Sequence, residues 1–197
     1  MQHTHLQKIV YLTSATTIAQ LPVDQGCEVA FVGRSNAGKS SALNAITGVN
    51  GLARTSQSPG RTQMINFFAF NNANRLVDLP GYGFAKVPKA VKIRWELLIH
   101  DYLEVRDSLK GLVLTMDIRH PLKELDLQII SWCVETAVPL HILLTKADKL
   151  TYAAQRNALK MVKHELVNFK DIISIQLFSA LKCIGIDEAR AKLISWL

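Results

Sequence analysis

The eight residues Gly33-Arg34-Ser35-Asn36-Ala37-Gly38-Lys39-Ser40 constrain this chain more than any other stretch, because they satisfy G-x-x-x-x-G-K-[ST] in the setting where that pattern has a mechanism. Ahead of them, Glu28 to Gly33 is a short apolar run closed by glycine, as expected of a strand buried on both faces. Behind them, Ser40 to Ile46 reads as a helix ending near Gly48. A strand that feeds a glycine-rich loop into a helix start aims successive backbone N–H groups, and the positive end of the helix dipole, at one place. Phosphate oxygens suit that place. Lys39 is expected to reach the terminal two phosphates, and the Ser40 hydroxyl to bind a magnesium ion that bridges them.

The rest of the chain is read around this loop. With 197 residues, 49% hydrophobic and 20% charged, one folded domain is expected rather than a disordered chain. The mean hydropathy is +0.14, but no apolar run reaches the roughly 18 residues of a spanning helix. Cys27, Cys133 and Cys183 are widely spaced without a C-x-x-C pair, which suggests neither a disulfide framework nor a zinc site. The apolar run Ile9 to Leu12 is too short for a secretory signal, so a cytoplasmic protein is expected. The formal charge of +7 favours a polyanionic partner.

Residues 49–64, rich in Gly, Ser, Thr, Asn and Pro, read as one long functional loop. Ile65 to Phe70 and Arg75 to Leu79 flank a turn-rich Asn71-Asn72-Ala73-Asn74, which predicts an antiparallel hairpin. Helix and strand then alternate: helix Val91 to Arg106, strand Gly111 to Met116, helix Glu124 to Glu135, strand Pro139 to Thr145, helix Ala153 to Asn168, strand Ile172 to Phe178, and a closing helix Ile186 to Leu197. The expected fold is α/β, three-layered, with a mostly parallel six-stranded sheet, one antiparallel hairpin strand and helices on both faces. Residues 28–197 form the single domain, and residues 1–27 a lead segment packed on it.

Two further motifs fall at predicted strand ends. Asp78-Leu79-Pro80-Gly81 is D-x-x-G; alone it reads equally as a turn, but one strand after a phosphate loop Asp78 becomes a carboxylate for magnesium and Gly81 a backbone N–H for the terminal phosphate. Thr145-Lys146-Ala147-Asp148 closes a strand at the edge where ligands bind in such sheets. By itself it also fits a helix N-cap region. A carboxylate only accepts hydrogen bonds, and guanine offers two adjacent donors where adenine has none, so Asp148 selects guanine. The Lys146 stem is placed to lie along the base, and backbone N–H groups of Phe178-Ser179-Ala180 to meet the guanine carbonyl.

In this order the motifs resemble a translation-factor-related GTPase, and more closely the EngB family of bacterial GTP-binding proteins. The resemblance rests on Gly33 to Ser41, Ser58 to Gln63, Asp78-Leu79-Pro80-Gly81-Tyr82-Gly83, Asp117-Ile118-Arg119-His120-Pro121 and Thr145 to Asp148. It implies a P-loop GTPase with GTP or GDP and Mg2+ as ligands, acting in assembly of the large ribosomal subunit and needed for normal cell division and septation. The large subunit and its RNA are then the partners, DNA and membrane are not, and the chain acts as a monomer. It implies that Thr62, rather than Thr55, is the switch threonine, with Gly60, Arg61, Gln63 and Met64 beside it at the nucleotide. Lys39, Thr62 and Gly81 carry hydrolysis, and Ser40, Thr62 and Asp78 serve the metal. The competing class is a non-ribosomal GTP switch that binds a protein partner in cell division.

Many Ras-like GTPases carry a water-orienting glutamine directly after D-x-x-G, where this chain has Tyr82. A phenol lacks the paired donor and acceptor of that amide, so slow intrinsic hydrolysis is expected. Asn36 matches an asparagine by which some related GTPases hold a potassium ion. Lys86, Lys89, Lys92 and Arg94 form a basic run after the Asp78 motif that suits RNA phosphates or a solvated helix face. The six histidines share no metal-ligand spacing beyond the terminal pair, and Trp95, Trp132 and Trp196 are read as core residues in helices.

Overall fold

The computed structural model describes residues 8–53, 64–71, 73–83 and 89–197, with the backbone alone for 89–92 and 94–96. Its centre is one sheet of β1 (Val10–Ala15), β2 (Cys27–Gly33), β3 (Ile65–Ala69), β4 (Asn74–Asp78), β5 (Leu109–Asp117), β6 (Leu140–Thr145) and β7 (Ile173–Leu177). The spatial order is β1-β3-β4-β2-β5-β6-β7. β4, β2, β5, β6 and β7 pair in parallel, while β3 runs antiparallel to both β4 and β1. The mostly parallel α/β sheet with one antiparallel strand is therefore as expected, and it carries a seventh strand from the lead segment. That strand escapes a periodicity argument because it lies at the sheet edge with Val10, Tyr11 and Leu12 exposed, and because an irregularity between Tyr11 and Thr13 shifts its register.

Strand alternation divides the core between two faces. Val29, Phe31, Val113 and Leu143 pack with α1 (Lys39–Thr47) and α5 (Ile186–Ile194). Ala30, Val32, Leu112, Leu114, Ile142 and Leu144 pack with α2 (Lys89–Val105), α3 (Glu124–Thr136) and α4 (Tyr152–Glu165). α5 is shorter than the expected closing helix and ends at Ile194, so Trp196 lies beyond it, against β5 where Gly111 leaves no room for a side chain. Trp132 is only partly buried and donates from Nε1 to Glu104 at 3.1 Å; the side chain of Trp95 lies outside the described residues. His141 is buried, its ring nitrogens bonded to Ser174 and Gln176 at 2.7 and 2.8 Å, which is the structural role expected for these histidines.

One polar cluster fastens the lead segment to the end of β2 opposite the phosphate loop. The Glu28 carboxylate is fully buried and accepts from Arg75 Nη1 at 2.8 Å, Tyr102 Oη at 2.9 Å, and Arg106 Nε and Nη2 at 3.0 and 2.6 Å. The same two guanidinium groups donate to the carbonyls of Val23 and Pro22 at 3.0 and 2.8 Å. Asp24 in turn accepts the N–H groups of Asp107 and Ser108 at 2.9 and 3.1 Å. Four parts of the chain thus share one carboxylate, and removing its charge leaves two buried cations under-compensated. Glu28→Gln is expected to lower stability by roughly 3–5 kcal/mol, measured by urea unfolding, without altering nucleotide affinity of the folded fraction; a loss under about 1 kcal/mol would mean that the cluster behaves like a surface pair.

Candidate nucleotide-binding site

In a parallel sheet every strand delivers its carboxyl end to the same edge. Here that edge gathers Gly33 from β2, Asp78 from β4, Asp117 from β5, Thr145 from β6 and the residues after Leu177 of β7. Gly33 is required sterically: a Cβ on it would collide with the Thr115 side chain and come within 2.7 Å of the Thr115 carbonyl oxygen on β5. The loop that follows turns through left-handed conformations at Asn36 (φ 63°) and Gly38 (φ 89°), the second of which glycine adopts at little cost. Its Ala37 N–H donates to the Arg34 carbonyl at 2.9 Å, and the α1 ladder opens with Ala42 donating to Gly38 at 2.8 Å. The N–H groups from Gly38 to Ser41 precede that ladder and have no partner among the described residues, as is usual for a helix start.

Lys39 and Asp78 form a buried ion pair, with side chains 10% and 3% exposed. The loop's lysine and the D-x-x-G aspartate, expected to share phosphates and metal, are thus in direct contact. Ser40 is half-buried on the same first turn and Ser41 exposed. Leu79 is fully buried and donates its N–H to the Phe31 carbonyl at 3.0 Å, so it anchors the motif backbone while its side chain belongs to the core; Pro80 is buried beside it. Gly81 is half-buried and a Cβ there would make only ordinary contacts. Met64 is exposed just before β3. Gly60, Arg61, Thr62 and Gln63 lie outside the described residues.

The four-residue base motif is tied into the phosphate loop atom by atom. Thr145 is buried, and its hydroxyl lies 2.5 Å from the Ala37 carbonyl oxygen and 2.9 Å from that of Met116. Lys146, itself left-handed at φ 58°, donates from Nζ to the Asn36 carbonyl at 2.6 Å and pairs with Asp117 at 3.0 Å. Asp117 also holds Arg119 at 2.7 Å. The hydrogen bond from Arg119 and that from Lys146 together outweigh burial and keep the Asp117 carboxyl well below the usual range. Sequence reasoning gave Asp117 no role of its own; the available signal was a charged residue closing a buried strand. A cavity of about 240 Å³ lies between the phosphate loop and this segment, lined by Ser35, Asn36, Asp117, Arg119 and Lys146 among others.

Asp148 sits on a 3-10 turn, Ala147–Lys149. It accepts the Ser179 hydroxyl at 2.5 Å, while Ala147 N–H donates to the Phe178 carbonyl at 3.1 Å. The Phe178-Ser179-Ala180 stretch therefore lies against the base motif, but two of its N–H groups are already used: Phe178 donates to Leu144 at 2.9 Å and Ser179 to Ile184 at 3.0 Å. Ala180 N–H has no partner among the described residues, and Phe178 is a core side chain, 1% exposed. Ser179 thus acts through its hydroxyl, which orients Asp148.

The family described as "50S ribosome-binding GTPase" matches residues 28–146. A probable GTP-binding protein EngB of Coxiella burnetii is 58% identical over 190 residues, covering 96% of this chain and 93% of its own length. The protein of the same name from an Enterobacter species is 53% identical over 196 residues, covering 100% of this chain and 94% of its own. Among solved structures, that of a probable GTP-binding protein EngB covers 86% of this chain and 97% of its own at a TM-score of 0.69 and 21% identity, which bears on the fold. With the phosphate loop, the D-x-x-G stretch and the base motif meeting at one sheet edge, and with relatives this similar over nearly the whole chain, the chain belongs to the EngB family of P-loop GTPases.

Proposed function

We propose that this GTPase is a magnesium-dependent nucleotide switch acting in assembly of the large ribosomal subunit. The observation that carries the nucleotide half is the contact of Lys39 with Asp78, of Thr145 and Lys146 with the phosphate loop, and of Ser179 with Asp148. On this reading the N–H groups of residues 38–41 and Lys39 cradle the phosphates. Asp148 accepts the two guanine donors, its carboxylate held by the Ser179 hydroxyl, and Ala180 offers its N–H to the guanine carbonyl. The donor set fits magnesium: a Ser40 hydroxyl and an Asp78 carboxylate are hard oxygens, and this ion takes only one or two protein ligands when phosphates supply the rest. Thr62 joins them, with Gly60, Arg61 and Gln63 around it. The ion supplies charge neutralisation on the phosphate oxygens.

Hydrolysis is slow on this reading, since the Tyr82 hydroxyl is already given to Asp126 at 2.6 Å and does not replace a water-orienting amide. A partner that orders the switch segments accelerates it. Asn36, exposed at the loop's left-handed turn, is the proposed potassium ligand. The ribosomal half rests on the family description and on the formal charge of +7. The run Lys86, Lys89, Lys92 and Arg94, whose side chains lie outside the described residues, is the proposed grip on RNA phosphates. A part in cell division and septation follows from ribosome supply.

Asp148→Asn is expected to weaken guanine-nucleotide binding by about a hundredfold or more and to transfer preference to xanthine nucleotides, whose exocyclic oxygen meets the new amide donor; competition binding measures both, and an unchanged guanine preference would remove Asp148 from the base site. Co-sedimentation is expected to place the protein on large ribosomal subunits with a GTP analogue and not with GDP, with a shallower salt dependence after Lys86, Lys89 and Lys92 are changed to Ala; binding instead to a non-ribosomal protein in the GTP state would replace this reading with the competing one. Single-turnover hydrolysis is expected to be slow alone, faster with large subunits, faster in potassium than in sodium salts and absent after chelation of magnesium; equal rates with and without subunits would remove the activating partner, and equal rates in the two salts the potassium site.

A further inference from the structure

Tyr82 is fixed at both ends. Its N–H donates to the Gly33 carbonyl at 3.3 Å and its carbonyl accepts the Ser35 N–H at 2.7 Å, a parallel bridge that carries β2 pairing into the phosphate loop. Three residues earlier Leu79 is bonded to Phe31. The peptide of Gly81 therefore lies between two anchored points, and small movements of Tyr82 move it. The side chain supplies the second fastening: the phenol is 5% exposed and donates to Asp126 Oδ1 at 2.6 Å. Asp126 is 1% exposed on the first turn of α3, and its Oδ2 accepts the Lys123 N–H at 3.0 Å, which caps that helix.

The Tyr82 phenol is in the form this bond needs. Burial, reinforced by the nearby Asp126, pushes the Tyr82 phenol far above its ordinary range, so it remains a donor. Burial raises Asp126, while the bonds from Tyr82 and Lys123 and the nearby Arg34 oppose the shift. The ring also forms part of an apolar groove of about 230 Å³ with Ile99 and Leu103 of α2 and Leu125, Ile129 and Trp132 of α3. The residue after D-x-x-G is thus built into the α2–α3 interface.

We propose that the Tyr82–Asp126 hydrogen bond positions the Gly81 peptide for the terminal phosphate, making Tyr82 a positioning residue and the start of α3 its anchor. The proposal rests on the reading above in which Gly81 offers its N–H to that phosphate. GDP lacks the phosphate concerned, so the bond acts on the triphosphate state alone. A buried hydrogen bond of this kind is worth about tenfold in an equilibrium.

The test is Tyr82→Phe, which keeps the ring in the groove and removes the hydroxyl. GTP turnover is expected to fall about tenfold, and the preference for a non-hydrolysable GTP analogue over GDP by a similar factor, while GDP affinity is unchanged. Asp126→Ala is expected to match it and the double variant to be no worse than either single one; Asp126→Asn, which keeps one acceptor oxygen, falls in between. Tyr82→Phe with wild-type turnover and wild-type GTP-over-GDP preference, differing only in melting temperature, would reduce the bond to a packing feature and overturn the proposal. Lys39→Ala separates the two layers: if it is inactive while Tyr82→Phe behaves as wild type, positioning alone is wrong, whereas wild-type turnover by Lys39→Ala would bring down the phosphate-site reading and the proposal with it.

Discussion

The close passage of β2 against β5 at Gly33 governs the geometry of the site. Because nothing larger than hydrogen fits between Gly33 and Thr115, the two central strands pair up to the last residue of β2, and the loop leaving β2 meets the end of β6. There Thr145 meets the Ala37 carbonyl and Lys146 the Asn36 carbonyl. A side chain at position 33 would part the strands and with them the phosphate loop from the base motif. Steric exclusion between Gly33 and the side chain and carbonyl of Thr115, rather than any charged group, therefore bears on the distance between the two halves of the site.

Three carboxylates at the two ends of the sheet are each answered by cations. Glu28 is met by two arginines, Asp78 by Lys39, and Asp117 by Arg119 and Lys146. Ion pairs removed from water gain little net stability, since desolvation takes back most of the attraction. Their value is geometric: a buried carboxylate tolerates few arrangements of its partners. The Glu28 cluster uses this rigidity to fasten the lead segment, β4 and the end of α2 to β2. At the opposite edge the same principle holds Lys39 against Asp78, so on the proposed reading a phosphate beside Lys39 would meet a cation already largely desolvated.

The parts legible from sequence alone were those whose residues carry their own reason. Strand, glycine loop and helix announce each other around residues 28–47, and the helix–strand alternation after Lys89 follows from hydrophobic period. The edge strand β1 was not legible, since half of an edge strand faces water and a register irregularity breaks the alternation that remains. The helix boundary at Ile194 differs from the hydrophobic period because Trp196 takes its place from a glycine on β5, a contact remote in sequence. Within the site, Asp148, Lys39 and Asp78 are singled out by their own chemistry, whereas Asp117 enters only as part of a motif and Asp126 not at all: a lone aspartate has no meaning until its partner is known, and Lys146 and Tyr82 are 29 and 44 residues away. From sequence the Ser179 N–H is expected to face a ligand, yet a neighbouring turn already uses it, which only the three-dimensional path reveals.

The edge strand has a consequence for how the chain is made. β3 reads Ile-Asn-Phe-Phe-Ala, a short apolar segment without charge or proline, the composition most prone to pair with other chains when its edge is bare. β1 covers that edge, and it precedes β3 by some fifty residues in order of synthesis. When β3 leaves the ribosome its antiparallel partner is already waiting, whereas the parallel strands β5 to β7 that complete the sheet are still to be translated. The lead segment thus supplies, ahead of β3 in order of synthesis, the strand that covers its outer edge.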